Sequence, residues 1–494
     1  MHVRVEEAPA GHSPESLAAT LRSELGRAVL RTAQFDVHSA RYSFVTARPE
    51  LQFRSYGSRC EVLRPGRPVQ RLFGNPWQLL RELLASFELP DQNEHPFPLG
   101  GVFGYWGFEL KQFTEPRLTR RAHNDLELPD CHVGFYSSLV AFDHATQRTW
   151  IVATGMDATG ERSLATQRTQ FEFWQRRLEQ SPAAVPPASP LPRHPEPAEP
   201  APSSLSRDQF LAAVRRAQAY IRVGDIYQVN LAQRLSSPCV GGAWAFWQRL
   251  LAASPAPFSA FYDTGDFVLV SSSPELFLRL SDRQILTRPI KGTRPRHPDP
   301  VRDAELRAEL LSSEKERSEL VMITDLLRND LGRVCDYGSV QVPELFRLEQ
   351  FPQVQHLVST VVGRLRPEVS HLDALSSCFP GGSITGAPKI RALEIIDELE
   401  PVARGPYCGC HGYLGFNRES QLNITIRTAV HRGEQIYFHV GAGIVADSVA
   451  EAEHEETMAK GAGFLTALGM DPVAHRISDR HREKPGARPG SIQS

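Results

Sequence analysis

Apolar residues recur along this chain at two periods, and the change from one period to the other marks the elements. Past residue 205, Phe210, Val214 and Ala217 follow Ser206 at helical spacing, which predicts a helix over 206–222 with Ser206 as its N-cap. Turn-bounded apolar runs predict strands at Tyr227–Arg234, Phe267–Ser272 and Leu276–Leu280. Helical patterns return over 303–329, 386–399 and 449–466. In the first part of the chain, Leu80–Leu84 is helical in pattern, and Phe44–Phe53 and Leu139–Val152 read as strands. GGVFGYWGF at 100–108 is apolar, aromatic and rich in glycine, which suggests a strand with close backbone packing. Strands and helices come in runs and do not alternate strictly. That predicts an α+β fold with large antiparallel sheets flanked by helices, against a doubly wound one.

One break interrupts the pattern. SPAAVPPASPLPRHPEPAEPAPSS at 181–204 is more than a third proline and reads as an extended, solvated linker. It divides the 494 residues into an N-terminal lobe, 1–180, and a catalytic domain, 205–468. The polar tail at 469–494 carries no apolar period and reads as disordered.

Composition narrows the class. Hydrophobic residues at 41% and charged residues at 23% are ordinary for a globular protein. Fifty-five basic against fifty-seven acidic residues leave a net charge of −2, which excludes a global basic footprint for nucleic acid. There is no apolar run of about 18 residues, so no transmembrane helix is expected. The start, MHVRVEEAPAGHSPES, carries acids and no apolar core, unlike a signal peptide. Seven scattered cysteines read as the reduced thiols of a cytoplasmic protein.

Four segments carry candidate chemistry. In AEAEHEETMAKGAGF at 450–464, Glu453, Glu456 and Lys460 share one helix face. Two acids a turn apart can hold a divalent ion, and equally can form a solvated Glu–Lys pair. Glu319 lies four residues before Ile323 on the inward stripe of a helix capped by Ser312 or Ser313. A carboxylate there needs a partner, either a metal or an arginine. Glu275 in SSSPE and Lys291 in PIKGTR each follow a strand and can meet at strand ends as an acid and a nucleophile or base; a surface lysine and a loop glutamate are the plainer reading. FPGGSITGAPK at 379–389 leads into a helix and suits a carboxylate or phosphate, or is a capped turn. Gly441 and Gly443 follow another strand, and Arg427 precedes it among apolar neighbours, placed for a ligand carboxylate or a structural pair.

Together, GDIYQVNLAQR at 224–234, SSSPELF at 271–277, PIKGTRPR at 289–296, EKERSELVMITDLLRNDLGRV at 314–334, FPGGSITGAPKIRALEIIDELEP at 379–401 and GAGIVADSVAEAEHEETMAK at 441–460 resemble the chorismate-utilising enzymes, in the family's order. These are the large subunits of anthranilate synthase and aminodeoxychorismate synthase, the isochorismate synthases and the salicylate synthases. GGVFGYWGFELK at 100–111 extends the resemblance to the N-terminal half. It implies an anthranilate synthase component I-like fold and Mg²⁺ held by Glu319 and Glu456, with Glu453 close by. It implies Glu275 as the acid that protonates the departing C4 hydroxyl. Tyr407, Arg427, Gly443 and Lys460 match positions that hold the substrate's carboxylates, and Gly441 is a further substrate-binding position. Ser383 and Thr385 lie in the matching glycine-rich loop, His356 matches a family histidine near the ring, and Thr293 is a further substrate-binding position.

Two positions separate the branches. Gln228 stands where isochorismate and salicylate synthases carry a water-activating lysine, which disfavours them. PIKGT, with Lys291, stands where anthranilate synthases typically read PIAGT. In the aminodeoxychorismate synthase branch that lysine is taken to attack C2 of chorismate before ammonia attacks C4. The chain shows no Gly-x-Cys-x-Gly-His glutaminase element. The resemblance therefore implies a separate glutamine amidotransferase subunit as ammonia source, and a downstream aminodeoxychorismate lyase to complete 4-aminobenzoate for folate synthesis. Anthranilate formation is the alternative. SARYS at 39–43 stands where feedback-inhibited anthranilate synthases carry Leu-Leu-Glu-Ser, which makes tryptophan feedback doubtful.

Overall fold

The computed structural model describes residues 2–34, 40–89, 91–92, 94–182, 201–351 and 354–470. Most of the proline-rich segment (183–200), most of the tail (471–494) and Ser39 of the SARYS element lie outside the described residues.

Two large sheets make the molecule. The first runs in the order Arg4–Ala8, Arg148–Ala153, Ser138–Asp143, Tyr42–Thr46, Ala28–Arg31, Phe258–Asp263, Val268–Ser273, Thr428–Arg432, Gln435–Ile444, Gln228–Pro238 and Gly386–Ala387. The second runs from Ile290–Pro295 through Val354–Arg364, Gln284–Arg288, Leu276–Ser281, Glu419–Ile424, Cys410–Gly415, Gly101–Trp106, Cys131–Tyr136, Leu51–Tyr56 and Arg59–Leu63 to Gln70–Phe73. Gln341–Gln350 pairs with Val354–Arg364 beside this path. Neighbouring strands pair antiparallel throughout, for example Asn230 opposite Gly443 and Gly412 opposite Gly104. The expected α+β architecture is present.

Both sheets mix strands from the two sides of the proline-rich segment. Ala28–Arg31 pairs with Phe258–Asp263 in one, and Gly101–Trp106 pairs with Cys410–Gly415 in the other. One core runs through both parts, from Phe53 and Trp106 to Leu278 and Leu422. Residues 1–180 and 205–468 are therefore not two independently cored units. Residues 201–204 also differ from a solvated linker. Ser204 N–H donates to the Arg234 carbonyl at 2.8 Å and Ala201 is buried, because this stretch already lies along the edge of the Gln228–Pro238 strand.

Several elements are subdivided relative to the sequence pattern. Phe44–Phe53 is two strands, Tyr42–Thr46 and Leu51–Tyr56, and the chain passes from one sheet to the other between them. Leu139–Val152 is a hairpin. The helical pattern over 303–329 is broken into Pro300–Ser312 and Glu314–Gly332, because the Ser313 hydroxyl accepts from Glu316 N–H and starts a new helix. The pattern at 449–466 breaks at Gly461 into Ala450–Lys460 and Ala462–Ala467. Ser206 caps Arg207–Arg222 as expected, with a reciprocal bond from Gln209. All seven cysteines are buried, free thiols. Among the described residues no helix is long and apolar enough to cross a membrane.

Candidate active site

A cavity of about 480 Å³ opens between strand ends of both sheets and the helices Glu314–Gly332 and Ala450–Lys460. Its walls include Glu275, Lys291, Thr293, Glu319, His356, Ser383, Tyr407, Arg427, Gly441, Gly443, Glu456 and Lys460. Twelve positions singled out from the sequence thus meet in one place.

Lys291 is aimed by a local irregularity. The strand Ile290–Pro295 shifts register against Val354–Arg364 between Lys291 and Thr293, and Gly292 at that point has φ +69°. A bulge of this kind re-aims the neighbouring side chain. The Lys291 Nζ lies 3.7 Å from a Glu319 carboxylate oxygen. Glu319 was expected to need a metal or an arginine; a lysine is its partner here.

Glu275 is 6% exposed. Burial pushes its carboxyl up to about 7, against the opposing pull of the Ser383 hydroxyl, Lys291 and the Ile290 N–H. It is therefore a carboxylic acid that can hold its proton near neutrality, facing the same space as an amine.

His356 Nδ1 lies 2.8 Å from the Thr293 hydroxyl. Burial, with the nearby Arg427, pulls the imidazole down to about 4, so it is neutral and serves as a hydrogen-bonding group. Arg427 has φ +47°, and its guanidinium has no ion-pair partner among the described residues. A cation left without an acid at a cavity wall suits a ligand carboxylate. Lys460 donates to the Gly441 carbonyl at 2.9 Å and stands 2.8 Å from Glu456.

The glycines at 441 and 443 have a second reason to be glycine. A Cβ on Gly443 would stand 2.3 Å from the Gln228 amide nitrogen. One on Gly441 would stand within 2.9 Å of the Asn230 Oδ1, the Leu231 carbonyl and the Tyr407 hydroxyl. These strands make room for neighbouring side chains.

Three expected site residues do not face the cavity. Gln228 is buried behind Gly443. The Thr385 hydroxyl donates inward to the Gly381 and Gly382 carbonyls at 3.1 and 3.2 Å and steadies the loop. Glu453 accepts from the Ser448 hydroxyl at 2.6 Å at the entry of its helix, which draws it off the cavity wall. Among the described residues no three His, Cys, Asp or Glu side chains gather as a metal-binding group. Glu319 and Glu456 do share the cavity. Burial, with Glu316 and Glu456 nearby, raises the Glu319 carboxyl; Glu456 is lowered because Lys460, Lys315 and Lys291 outweigh its burial. Two acids from different helices facing one space fit a divalent cation.

The structure adds Asn230, His439, Lys315, Glu316 and Phe464 to the walls. Asn230 and His439 sit on strands, where a lone polar residue gives no period of its own. Lys315 and Glu316 lie in the charged first turn of their helix, and Phe464 belongs to the short helix past the break at Gly461.

The profile of a family described as chorismate binding enzyme matches residues 32–466. The chain is 41% identical over 421 residues to aminodeoxychorismate synthase component 1 of Klebsiella aerogenes, covering 85% of this chain and 88% of that one. It is 43% identical over 393 residues to anthranilate synthase component 1 of Thermus thermophilus, covering 79% and 82%. Among solved structures, anthranilate synthase component I from Streptococcus pneumoniae superposes with a TM-score of 0.74 at 30% identity, over 87% of this chain and 93% of that one.

Proposed function

We propose a reaction from one premise: this chain belongs to the chorismate-binding enzyme family. The reaction is the conversion of chorismate and ammonia to 4-amino-4-deoxychorismate and water. The observation that carries it is Lys291 facing the same cavity as Glu275, a buried carboxyl raised to about 7. The Nζ lone pair of Lys291 forms a bond to C2 of chorismate. Both ring double bonds shift, from C1=C2 to C1=C6 and from C5=C6 to C4=C5, and the C4 hydroxyl departs as water with the proton of Glu275. Ammonia then forms the C4–N bond, both double bonds return, the C2–Nζ bond breaks with its electron pair going to the lysine, and one proton of the ammonia returns to Glu275. Arg427, Lys460 and the Tyr407 hydroxyl bind the carboxylates, and neutral His356, held by Thr293, lies beside the ring.

Glu319 and Glu456 would hold a Mg²⁺ ion. Bound there, the ion supplies charge neutralisation for a substrate carboxylate. The "component 1" in the names of the aminodeoxychorismate synthase relatives supports a separate ammonia-supplying glutamine amidotransferase subunit. The product then feeds an aminodeoxychorismate lyase for 4-aminobenzoate and folate synthesis, in the cytoplasm.

Anthranilate formation is the second reading, favoured by the 43% identity to the Thermus thermophilus protein. Purified chain incubated with chorismate, Mg²⁺ and ammonium at about pH 8.5, where more ammonia is free, separates the two. A non-fluorescent amino product that becomes 4-aminobenzoate only with added lyase is expected. Fluorescent anthranilate formed without lyase would overturn the C4 assignment.

A further inference from the structure

The hydroxyl of Tyr407 stands 2.9 Å from the place a Gly441 Cβ would occupy, at the edge of the cavity. A phenol turns about two torsions, so the place of its oxygen depends on what the ring rests against. The Tyr407 ring rests on His439: the centroids are 5.0 Å apart and the planes 12° from parallel. The Arg404 guanidinium lies 5.7 Å from the ring centroid, and its own place is fixed by buried bonds to Glu400.

His439 is 9% exposed, and its Nε2 has no hydrogen-bond partner among the described residues. That nitrogen is not what fixes the side chain. Burial, with Arg234 and Arg404 nearby, holds the imidazole well below its usual range, so a neutral ring meets the phenol. Behind the stacked pair lies a second, small void of about 20 Å³, walled by Leu128, Pro406, Thr428 and Val430. Tyr407 and His439 border both spaces and so form the partition between them. A void of that size holds about one water molecule and cannot admit a phenol. Removing the imidazole would enlarge it to side-chain size, and partial collapse into such a space is the usual response of a packed interior.

We infer that His439 is a positioning residue: its flat face is the backstop that fixes the tilt of Tyr407, and with it the place of the phenol hydroxyl over Gly441. The inference rests on the chorismate-site reading of the cavity. His439 acts on substrate affinity through Tyr407, not on the bond-making steps at Lys291 and Glu275.

The test uses the full chain with saturating ammonium and measures KM for chorismate apart from kcat. In His439→Ala, KM for chorismate is expected to rise about tenfold, equal to about 1.4 kcal/mol, with kcat within about twofold. His439→Phe, which keeps a flat ring, is expected to restore KM to within about twofold. His439→Leu, similar in volume but not flat, replaces the alanine variant in the comparison should that variant not fold. In a Tyr407→Phe background the alanine or leucine change is expected to add nothing further. An unchanged KM in His439→Ala or His439→Leu overturns the inference. So does a phenylalanine variant as impaired as the alanine one, or an effect that persists in the Tyr407→Phe background. A wild-type chain that consumes no chorismate overturns the chorismate reading and the inference with it; a wild-type chain that does so, with variants unchanged, overturns the inference alone.

Discussion

The amine of Lys291 and the carboxylate of Glu319 face each other at 3.7 Å, the first carried by an edge strand of a sheet, the second by the helix packed outside it. The pair joins the nucleophile of the proposed reaction to one of the acids that would hold its cation. Lys291→Ala removes the nucleophile of the proposed reaction. The 4-amino product is expected to fall by at least about 10³-fold, read by chromatography and mass. Intact-protein mass spectrometry with chorismate should show an adduct in the wild type and none in the variant. Wild-type turnover in Lys291→Ala would sink the covalent route.

Glu275 gives the reaction a pH limit. Its folded value, raised to about 7 by burial, means the carboxyl keeps its proton below that pH and loses it above. Acting as an acid, it makes kcat/KM fall as pH rises through about 7, because kcat/KM reports the free enzyme. Free ammonia must be held constant across the series. The linkage to stability has the same sense. Stability from the raised carboxyl is fully present below its unfolded value and is lost as pH rises through about 7. Glu275→Gln should remove this loss from a denaturation series while abolishing turnover. A kcat/KM profile flat from pH 6 to 8, with about one pH unit on either side of the expected midpoint, would count against the assignment.

The carboxylates differ in what they face. Glu319→Gln and Glu456→Gln should each raise the Mg²⁺ concentration needed for half-maximal activity by about 10-fold or more. Glu453→Gln should move it far less, because that side chain is bonded to Ser448 and stands off the wall. A Mg²⁺ titration in which Glu453→Gln matches the other two would restore Glu453 as a full ligand.

Gly443→Ala tests the space that the strand leaves. The added methyl would meet the Gln228 amide at 2.3 Å and force it to move. Overpacking of this kind costs about 1–3 kcal/mol, measurable by urea denaturation. Trimming Gln228 as well, in Gly443→Ala/Gln228→Ala, should recover much of that loss. No recovery would mean that the cost does not come from the Gln228 contact.

Much of this site is legible in the chain because its residues sit in dense local motifs. Glu456 and Lys460 share a helix stripe, and that stripe faces the cavity as its spacing indicates; Phe464 reaches the cavity from the next helix, past Gly461. Glu453 shares the stripe too, yet a serine just before the helix captures it, a contact that spacing cannot register. Asn230 and His439 were silent for a different reason. Which face of a strand looks into a cavity depends on its partners, and those partners come from distant parts of the chain, as with Gly443 opposite Asn230 and Arg234 opposite His439. The same holds for the fold. The antiparallel class follows from the run of elements, whereas the mixing of early and late strands in both sheets rests on pairings such as Arg31 with Ser259, which no local pattern encodes.

That mixing sets a schedule for the chain as it leaves the ribosome. Gln435–Ile444, the last strand among the described residues, lies between Thr428–Arg432 and Gln228–Pro238 inside the first sheet. Until it arrives, Gln228–Pro238 lacks its long neighbour, and the cavity lacks Gly441, Gly443, Glu456 and Lys460. The earlier strands must wait with open edges, the condition in which nascent chains aggregate and chaperones are needed. Sheet and cavity are thus completed only once residues 435–460 are made, and a product terminated before them has neither.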